Sequence, residues 1–285
     1  MGALRSTPYL LLAVPVIFLL IFFLIPLGIA LVFSFFTNEP SAGMRADLTF
    51  DNYAKVFTTP VYMTLLVRTL RLSMLTMLAT LPIAYVLAYW LVRLDPRWRV
   101  YAMFGIVVAL WSSVVVRAFA WMILLSDSGV VNSSLEALGI PTLRLMYNQT
   151  GTIVGLVHVM VPIMFFPIYA SLKAIDPSLE HAAEGLGASP LRRFWRVTLP
   201  LSTPGIVSGS LLVFIIVSGF FLIPVLLGGG RVLVIASVVV QQVGLLNYPF
   251  AGALSIILLL VVLLVAFVVS RIVARGRIEG GIFGA

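Results

Sequence analysis

The chain of 285 residues contains no cysteine, only two histidines and few charged residues. Without cysteine it has no disulfide framework, no thiolate metal site and no cysteine nucleophile. Charged residues make up 10% of the chain, against about 25% in ordinary soluble domains, and hydrophobic residues make up 61%. This shortage of polar surface excludes a soluble enzyme, a disordered tail and a secreted module. The composition therefore predicts a polytopic membrane protein.

Three further absences narrow the class of membrane protein. The sequence has no Gly-x-x-x-x-Gly-Lys-Ser/Thr phosphate loop, so we expect no ATP binding of the Walker type by this chain. No carboxylate lies well inside an apolar segment and no inverted repeat is evident, although secondary transporters commonly have both. Two histidines without a metal-spaced partner do not form the constellation that a membrane enzyme needs. Composition alone leaves a simple channel open as an alternative.

Six segments are apolar over the roughly 20 residues that a membrane-spanning helix needs. The last apolar tract, 232–270, is too long for one helix, and polar residues and a proline interrupt it. We expect a re-entrant or peripheral piece near 232–247, because irregular backbone in a membrane must be buried in protein or face water. We interpret the whole chain, 1–285, as one transmembrane domain. The predicted spans are 9–36, 72–92, 100–126, 150–172, 201–230 and about 250–271.

The positive charges are distributed unevenly between the two sides of these spans. Eleven Lys and Arg residues lie on the side of both termini, six lie on the other side, and Arg117 is left within the third span, which accounts for all eighteen. Short cytoplasmic loops carry an excess of Lys and Arg. We therefore predict that both termini are cytoplasmic. The net charge of +8 then reflects membrane topology and does not indicate a nucleic-acid partner.

The longest basic loop, 173–200, connects the fourth and fifth spans and has clear local signals. Asp176 is a good N-cap, and Pro177 suits the first turn of a helix. Together they predict a short helix over 177–186. Gly187 fits the position after a helix end, where a left-handed residue is preferred.

The second half of the loop repeats the pattern of cap and proline. Ser189 and Pro190 predict the start of a second helix, which we expect to end near Pro200. Ala183 in the first helix is small enough for the backbone of another protein to approach closely. Phe194 offers an apolar anchor beside a cluster of arginines. The loop therefore has the features of a docking surface.

Ala182, Ala183 and Gly187, followed by Leu199-Pro200, make this loop resemble the EAA or coupling loop of permeases in binding-protein-dependent, ATP-driven importers. The family pattern is Glu-Ala-Ala, three residues and Gly, and here His181 occupies the position of the family Glu, with Glu180 just before it. The resemblance implies that this loop couples the chain to an ATPase subunit. The coupling residues that it implies are Glu180, His181, Ala182, Ala183, Glu184, Gly187, Ser189, Pro190 and Phe194.

The resemblance extends to other parts of the chain. Segments 111–121 and 129–132 are similar to the third-span region of spermidine/putrescine-type permeases. Segments 227–229 and 247–253 are similar to the region before the last span in those proteins. The pattern at 111–121 is closer to the first of the two paralogous permeases that such systems often encode. The resemblance implies an all-α, type I ABC importer transmembrane domain with six spans and a cytoplasmic coupling helix.

The resemblance also implies partners and a location. Two ATPase subunits would dock on the coupling loops, a second, paralogous permease would complete the pathway, and a periplasmic or extracellular solute-binding protein would deliver the solute. ATP and magnesium would be used by the ATPase subunits, so we expect no cofactor and no enzyme activity in this chain. It would be a multi-pass protein of the bacterial inner membrane, in contact with lipid. Transport would proceed by alternating access, driven through the coupling helix.

A substrate path needs polar or aromatic groups within the bilayer, where polar groups are costly and usually face a cavity. Arg117 is the one charge well inside a predicted span, and either a substrate role or a bond to a backbone carbonyl would explain it. Aromatic side chains could stack on a cation or anchor the chain at the membrane interface. His158 is better explained by packing. The candidate pathway residues are Trp111, Arg117, Trp121, Asp127, Gln241, Gln242, Asn247 and Tyr248.

The substrate implied by the resemblance is a polyamine such as spermidine or putrescine. A polycation would normally require carboxylates along its path, and here aromatic faces and backbone carbonyls would have to replace them. Related subgroups transport opines, amino-acid derivatives or ferric iron. The alternative function is a secondary transporter or channel for a small solute that is not coupled to ATP.

Overall fold

The computed structural model describes residues 14–39 and 43–279, so the predicted start of the first span at 9–13 and both chain termini lie outside it. In the described ranges the chain consists of helices, one small hairpin and the turns and loops that connect them. Six of the described helices are long and apolar enough to cross a membrane, which confirms the predicted six-span, helical class. Their bounds are Val14–Phe33, Pro60–Arg93, Val114–Ala137, Gln149–Lys173, Pro190–Ser218 and Tyr248–Ile272, and the third of these spans is divided into two helices, Val114–Leu125 and Val130–Ala137.

The described elements are named here in chain order. The hairpin strands are β1 (Thr37–Glu39) and β2 (Gly43–Arg45). The helices are α1 (Val14–Phe33), α2 (Asp51–Thr58), α3 (Pro60–Arg93), α4 (Pro96–Trp111), α5 (Val114–Leu125), α6 (Val130–Ala137), α7 (Gln149–Lys173), α8 (Pro177–Gly185), α9 (Pro190–Ser218), α10 (Leu222–Gly228), α11 (Ile235–Gly244) and α12 (Tyr248–Glu279).

The chain divides into two compact units. The first combines the described residues up to Thr64 with Val238–Leu260, and in it Gly252 of α12 packs so closely on α1 that an added Cβ would lie 2.9 Å from the Ala30 carbonyl oxygen. The second combines Leu65–Ser237 with the described residues from Val261 onward and contains the loop between α7 and α9. That the chain acts as one transmembrane domain stays a prediction.

Close packing of α7 against α9 forms the centre of the second unit. A Cβ added to Gly205 would lie 2.4 Å from the Pro167 carbonyl oxygen, and one added to Gly209 would lie 3.0 Å from the Met164 carbonyl oxygen. Small residues four apart allow two membrane helices to approach backbone to backbone. The resulting contact fixes α7 relative to α9, and these are the two helices that flank α8.

The third predicted span, 100–126, is wrong as a continuous helix, because α4 ends at Trp111 and α5 begins at Val114. Ser112 has extended backbone, and its hydroxyl donates a hydrogen bond to the Ala109 carbonyl at 2.9 Å. Serine hydroxyls compete with the helix for backbone partners, which explains why the helix ends here. The break leaves the Ser112 carbonyl in need of another donor.

The second and fifth predicted spans also differ from the observed helices. α3 begins at Pro60, well before the predicted start at 72, because proline fits the first turn of a helix and the helix continues through the two arginines that follow. The fifth span does not extend to 230, because α9 ends at Ser218. The Ser218 hydroxyl donates to the Phe214 carbonyl at 2.7 Å, and Gly219 ends the helix before α10.

The second helix of the 173–200 loop does not end near Pro200, contrary to the prediction. It continues through a π-helical turn at Phe194–Thr198 into the membrane-spanning part of α9. The Leu199 amide donates to the Phe194 carbonyl, five residues back. Pro200 has no amide hydrogen, and a wider turn before it is a common way for a helix to accommodate proline. The loop is therefore continuous with α9.

Candidate coupling site and substrate path

Helix α8 forms where the sequence predicts it. Asp176 Oδ1 accepts a hydrogen bond from the Ser178 amide at 2.9 Å, and this bond lowers the pKa of the Asp176 carboxyl. Gly187, two residues after the helix, has a φ of +79°, which confirms the predicted left-handed position. Ser189 caps the start of α9 by accepting a hydrogen bond from the Arg192 amide at 3.4 Å. α8 is therefore a separate helix, held between two caps and a tight turn.

Glu180 ties α8 to two membrane helices, α3 and α9. Its Oε1 accepts a hydrogen bond from Arg93 Nη2, at the end of α3, at 2.6 Å, and one from the Thr198 hydroxyl, at the start of the membrane part of α9, at 2.7 Å. The Glu180 side chain is 28% exposed. Burial raises its pKa, but the Thr198 hydroxyl and Arg93 outweigh burial and lower the pKa overall. Glu180 is therefore held ionised between α3 and α9.

Aromatic packing supports the same junction. The Phe194 ring lies edge-on to Tyr85 and Tyr89 of α3, with centroids 5.9 and 5.4 Å apart. The Arg93 guanidinium lies over the Tyr89 ring, 3.7 Å from its centroid, in cation–π contact. The Tyr85 hydroxyl is 3.0 Å from the Ser202 hydroxyl of α9. Phe194 thus packs against α3 within this junction and is only partly exposed, and its role as an apolar anchor for a partner stays a prediction.

The outer face of α8 presents most of the remaining predicted coupling residues to solvent. His181 is 78% exposed, and its Nδ1 lies 3.9 Å from Glu184, which in turn accepts a hydrogen bond from Arg193 at 2.8 Å. Leu186, at the end of α8, is 89% exposed although it is apolar. Ala183 is half-buried, whereas the other predicted positions on this surface are exposed: Ala182, Gly187, Ser189 and Pro190.

Sequence reasoning missed Arg93, Thr198 and Leu186 as parts of this site. Arg93 is 87 residues from Glu180, so no local pattern joins them. Thr198 belongs to the turn that Pro200 was expected to end. Leu186 had a usable signal, because it is an apolar residue next to a helix-ending glycine on a loop otherwise rich in charge.

The pathway candidates in the second unit fall into separate environments. Arg117 Nη2 donates to the Ser112 carbonyl at 3.0 Å, so the arginine satisfies the carbonyl freed by the break between α4 and α5. This geometry matches the structural alternative for Arg117. Trp111 is 86% exposed. Trp121 packs edge-on to His158, with ring centroids 5.5 Å apart.

Two cavities of the second unit are lined by pathway candidates, one by Trp121 and the other by Asp127, whereas Trp111 and Arg117 line neither. One of about 680 Å³ lies among α3, α4, α5 and α7, and its lining is apolar except for Trp121 and His158. The other, of about 610 Å³, is lined by Asp127 together with Arg144, Tyr147 and Arg231. The structure therefore separates an apolar cavity with an aromatic wall from a charged one.

The pathway candidates in the first unit lie where α11 ends and α12 begins. Asn247 Nδ2 donates to Gln242 Oε1 at 3.0 Å, and Asn247 Oδ1 accepts from the Phe250 amide at 3.4 Å. Gln241 and Tyr248 are exposed. Within the described ranges, no group of three or more His, Asp or Glu side chains converges to hold a metal ion.

Comparison with known proteins identifies the family of this arrangement. The sequence matches the family described as "Binding-protein-dependent transport system inner membrane component" over residues 80–277, well over half of the chain. The chain belongs to this family. It is therefore a permease of a binding-protein-dependent importer and an inner membrane component, which confirms the predicted family and function class.

Relatives with named functions cover most of this permease. The spermidine/putrescine transport system permease protein PotB of Salmonella typhimurium strain SL1344 is 33% identical over 243 residues, covering 84% of each chain. PotB of Escherichia coli K12 is also 33% identical over 243 residues, covering 84% of this chain and 88% of PotB. The inner membrane ABC transporter permease protein YdcU of Escherichia coli K12 is 28% identical over 234 residues, with 77% and 74% coverage.

Solved structures share the fold. A chain of a bacterial ABC transporter involved in the import of alginate superposes with a TM-score of 0.77 at 23% identity, covering 95% of this permease and 96% of that chain. A chain of the methionine ABC transporter MetNI superposes with a TM-score of 0.55 at 20% identity, covering 76% of this permease and 98% of that chain. These likenesses confirm the ABC importer permease fold.

Proposed function

We propose that this permease imports a polyamine and that α8 is the helix on which an ATPase subunit docks. The single observation that carries the docking role is the anchoring of Glu180 by Arg93 and Thr198, at 2.6 and 2.7 Å. A helix that must transmit a push cannot move independently of the helices it drives. Glu180 joins α8 to α3 and α9 at once, so a displacement of α8 would move both as a rigid body.

The exposed face of α8 supplies the surface for the ATPase subunit. Leu186 and the half-exposed Leu179 give it apolar contact area, and His181 adds a polar group in place of the family Glu. Apolar side chains that are exposed on a polar surface commonly mark interaction sites. Two ATPase subunits, one for each permease of the pair, would bind in this way. ATP and magnesium would be bound by those subunits.

The polyamine substrate is supported by the similarity to PotB over 84% of the chain. The aromatic wall of the 680 Å³ cavity, formed by Trp121, can take part in cation–π contact with an alkylammonium group. A second permease would complete the pathway. An external solute-binding protein would deliver the polyamine. With α8 on the cytoplasmic side, both termini are cytoplasmic, in agreement with the charge bias.

The test is uptake into vesicles that contain the permease pair and the ATPase subunits, with the solute-binding protein added outside. We expect labelled spermidine or putrescine to accumulate only when both ATP and the binding protein are present, without an ion gradient. Uptake driven by an ion gradient alone would instead identify a secondary transporter, and passive equilibration a channel. If a binding protein that does not bind polyamines stimulates ATP-driven uptake, the assignment of a polyamine substrate would be rejected. The assignment as an ATP-driven importer would still hold.

A further inference from the structure

The 610 Å³ cavity lies at the end of α7 opposite to α8 and carries an excess of positive charge. Arg144 and Arg231 line it together with Asp127. In the described part of the chain, neither arginine forms an ion pair. Arg68 Nη1 donates to the Arg231 carbonyl at 3.3 Å, so a third guanidinium lies beside this residue. One carboxylate and two guanidinium groups among the lining residues leave the cavity positively charged.

A buried asparagine fixes one side of this cavity. Asn132 is 1% exposed, and its Nδ2 donates to the carbonyls of Ser126 and Leu143 at 3.2 and 3.1 Å. Its Oδ1 accepts from the Leu143 amide at 2.9 Å. Asp127 and Arg144 are the direct chain neighbours of the two residues that Asn132 bonds. Both charges therefore project from backbone that is already ordered, which lowers the entropy cost of binding a partner.

A strained tyrosine also lines this cavity. Tyr147 has a φ of +57°, which is unusual for a residue with a side chain, and its amide donates to the Leu227 carbonyl at 2.8 Å. A Cβ added to Gly229 would lie 2.1 Å from Tyr147 Cδ1, so the ring packs directly on the glycine turn that precedes Arg231. Strained backbone that the surrounding contacts hold in place is concentrated at binding and switch sites.

We propose that this cavity receives acidic side chains on the surface of the solute-binding protein. The inference rests on the proposed function. The charge of the cavity is complementary to carboxylates and would repel a polyamine, so its occupant is not the transported cation. The 25 residues of α7 span about 37 Å and separate the cavity from α8. This places the positive charges on the side from which a delivering protein approaches, where they would also accelerate its association.

The experiment measures the concentration of binding protein that gives half-maximal stimulation of ATP hydrolysis by the reconstituted complex. Arg144→Glu and Arg231→Glu should each raise this concentration about tenfold at about 0.1 M salt, which corresponds to about 1.4 kcal/mol. The difference from wild type should shrink at about 1 M salt, because salt screens the charges. Arg144→Lys should stay within about twofold of wild type. The matched control is Arg45→Glu, which reverses an exposed arginine of the first unit that is paired with Glu39.

Three results would overturn the proposal. The first is an unchanged half-maximal concentration in both reversal variants. The second is a loss of solute uptake at saturating binding protein with no change in that concentration, which would make the cavity a subsite for an anionic solute. The third is a wild-type complex that no concentration of binding protein stimulates, which would reject the proposed function as well. Because the third result appears in the wild type, it is distinguishable from the first two.

Discussion

Two arginines at one end of α7 and two at the other are used in opposite ways. Next to α8, Arg93 and Arg193 are each paired with a carboxylate, at 2.6 and 2.8 Å. At the other end, Arg144 and Arg231 line a cavity and form no ion pair within the ranges that the structure describes. Arg93 and Arg193 thus form contacts within the permease, whereas Arg144 and Arg231 stay available to bind a partner.

This difference separates two kinds of interface. An arginine already bound to a carboxylate holds its own helices together and has little attraction left for a partner. An unpaired arginine on ordered backbone can form a charge-assisted hydrogen bond with an incoming carboxylate. We therefore expect apolar, shape-dependent docking at α8 and charge-dependent docking at the cavity.

The largest expected effect at the α8 end comes from Gly187→Val. Open space surrounds this glycine, so the substitution acts through its φ of +79° and not through a clash. A left-handed conformation costs an L-residue about 1–2 kcal/mol. We expect normal levels of the permease in the membrane and an approximately tenfold loss of binding-protein-stimulated ATP hydrolysis.

Gly185→Val is the matched control for that variant. Gly185 also has open space around it, but it lies within α8 and does not have a positive φ. It should therefore keep most of the stimulated activity. Equal losses in the two variants would show that any added side chain here disturbs docking and that the turn has no special role.

Asn132→Ala should have the next largest effect and should act at the opposite end. It removes three hydrogen bonds and leaves buried carbonyl and amide groups without a partner, which costs about 1–3 kcal/mol. We expect the half-maximal concentration of the binding protein to rise about fivefold while the ATPase subunit is still retained on pull-down. Ser133→Ala, at an exposed neighbour, should leave both measurements unchanged. Loss of the ATPase subunit from Asn132→Ala would show that the two ends are not independent.

Glu180→Gln should produce a smaller loss because its ion pair is partly exposed to solvent. The variant keeps the shape of the side chain but removes the charge that Arg93 and Thr198 stabilise. We expect the ATPase subunit to remain bound and the amount of solute transported per ATP to fall about threefold. Glu184→Gln, which alters a more exposed pair, should show no such fall. Equal amounts of solute transported per ATP in the two variants would contradict the anchoring role of Glu180.

The smallest expected effect is that of pH on this anchor. The pKa of Glu180 is lowered from its ordinary value of 4.5, so its contribution is complete above that value and is lost only as the pH falls through the lowered pKa. Between about pH 8 and about pH 5, wild type and Glu180→Gln should therefore show parallel profiles of transport per ATP. A decline confined to the wild type in this range would show that Glu180 titrates there.

Features of this site that depend on local chemistry could be predicted from the sequence. Asp176 and Ser189 cap helices, and Gly187 adopts a left-handed conformation, because each outcome depends on a few neighbouring residues. The wrong prediction that the second helix of the loop ends near Pro200 also has a local cause. Proline usually ends a helix, but a π-helical turn allows this helix to continue. The pair Ser112-Ser113 gave too weak a signal to predict the break between α4 and α5.

Contacts between distant segments could not be predicted in the same way. Nothing in the sequence around Arg93 indicates a partner, yet this residue forms the ion pair that anchors α8. Arg144 and Arg231 come together because Asn132 and Tyr147 order the segments around them. The bond from Asn132 to the Leu143 carbonyl and the bond from Tyr147 to the Leu227 carbonyl follow no sequence period. Such pairs depend on how helices pack, which a single sequence does not show.

The most direct test of the docking role of α8 is photo-crosslinking from one introduced cysteine, since the chain has none of its own. Leu186→Cys, at the exposed end of α8, and Leu138→Cys, at the exposed end of α6, would each carry a benzophenone label in complexes with cysteine-free partners. We predict that the label at 186 captures the ATPase subunit and that the label at 138 does not. Capture of the ATPase subunit from 138 and not from 186 would contradict the docking role of α8.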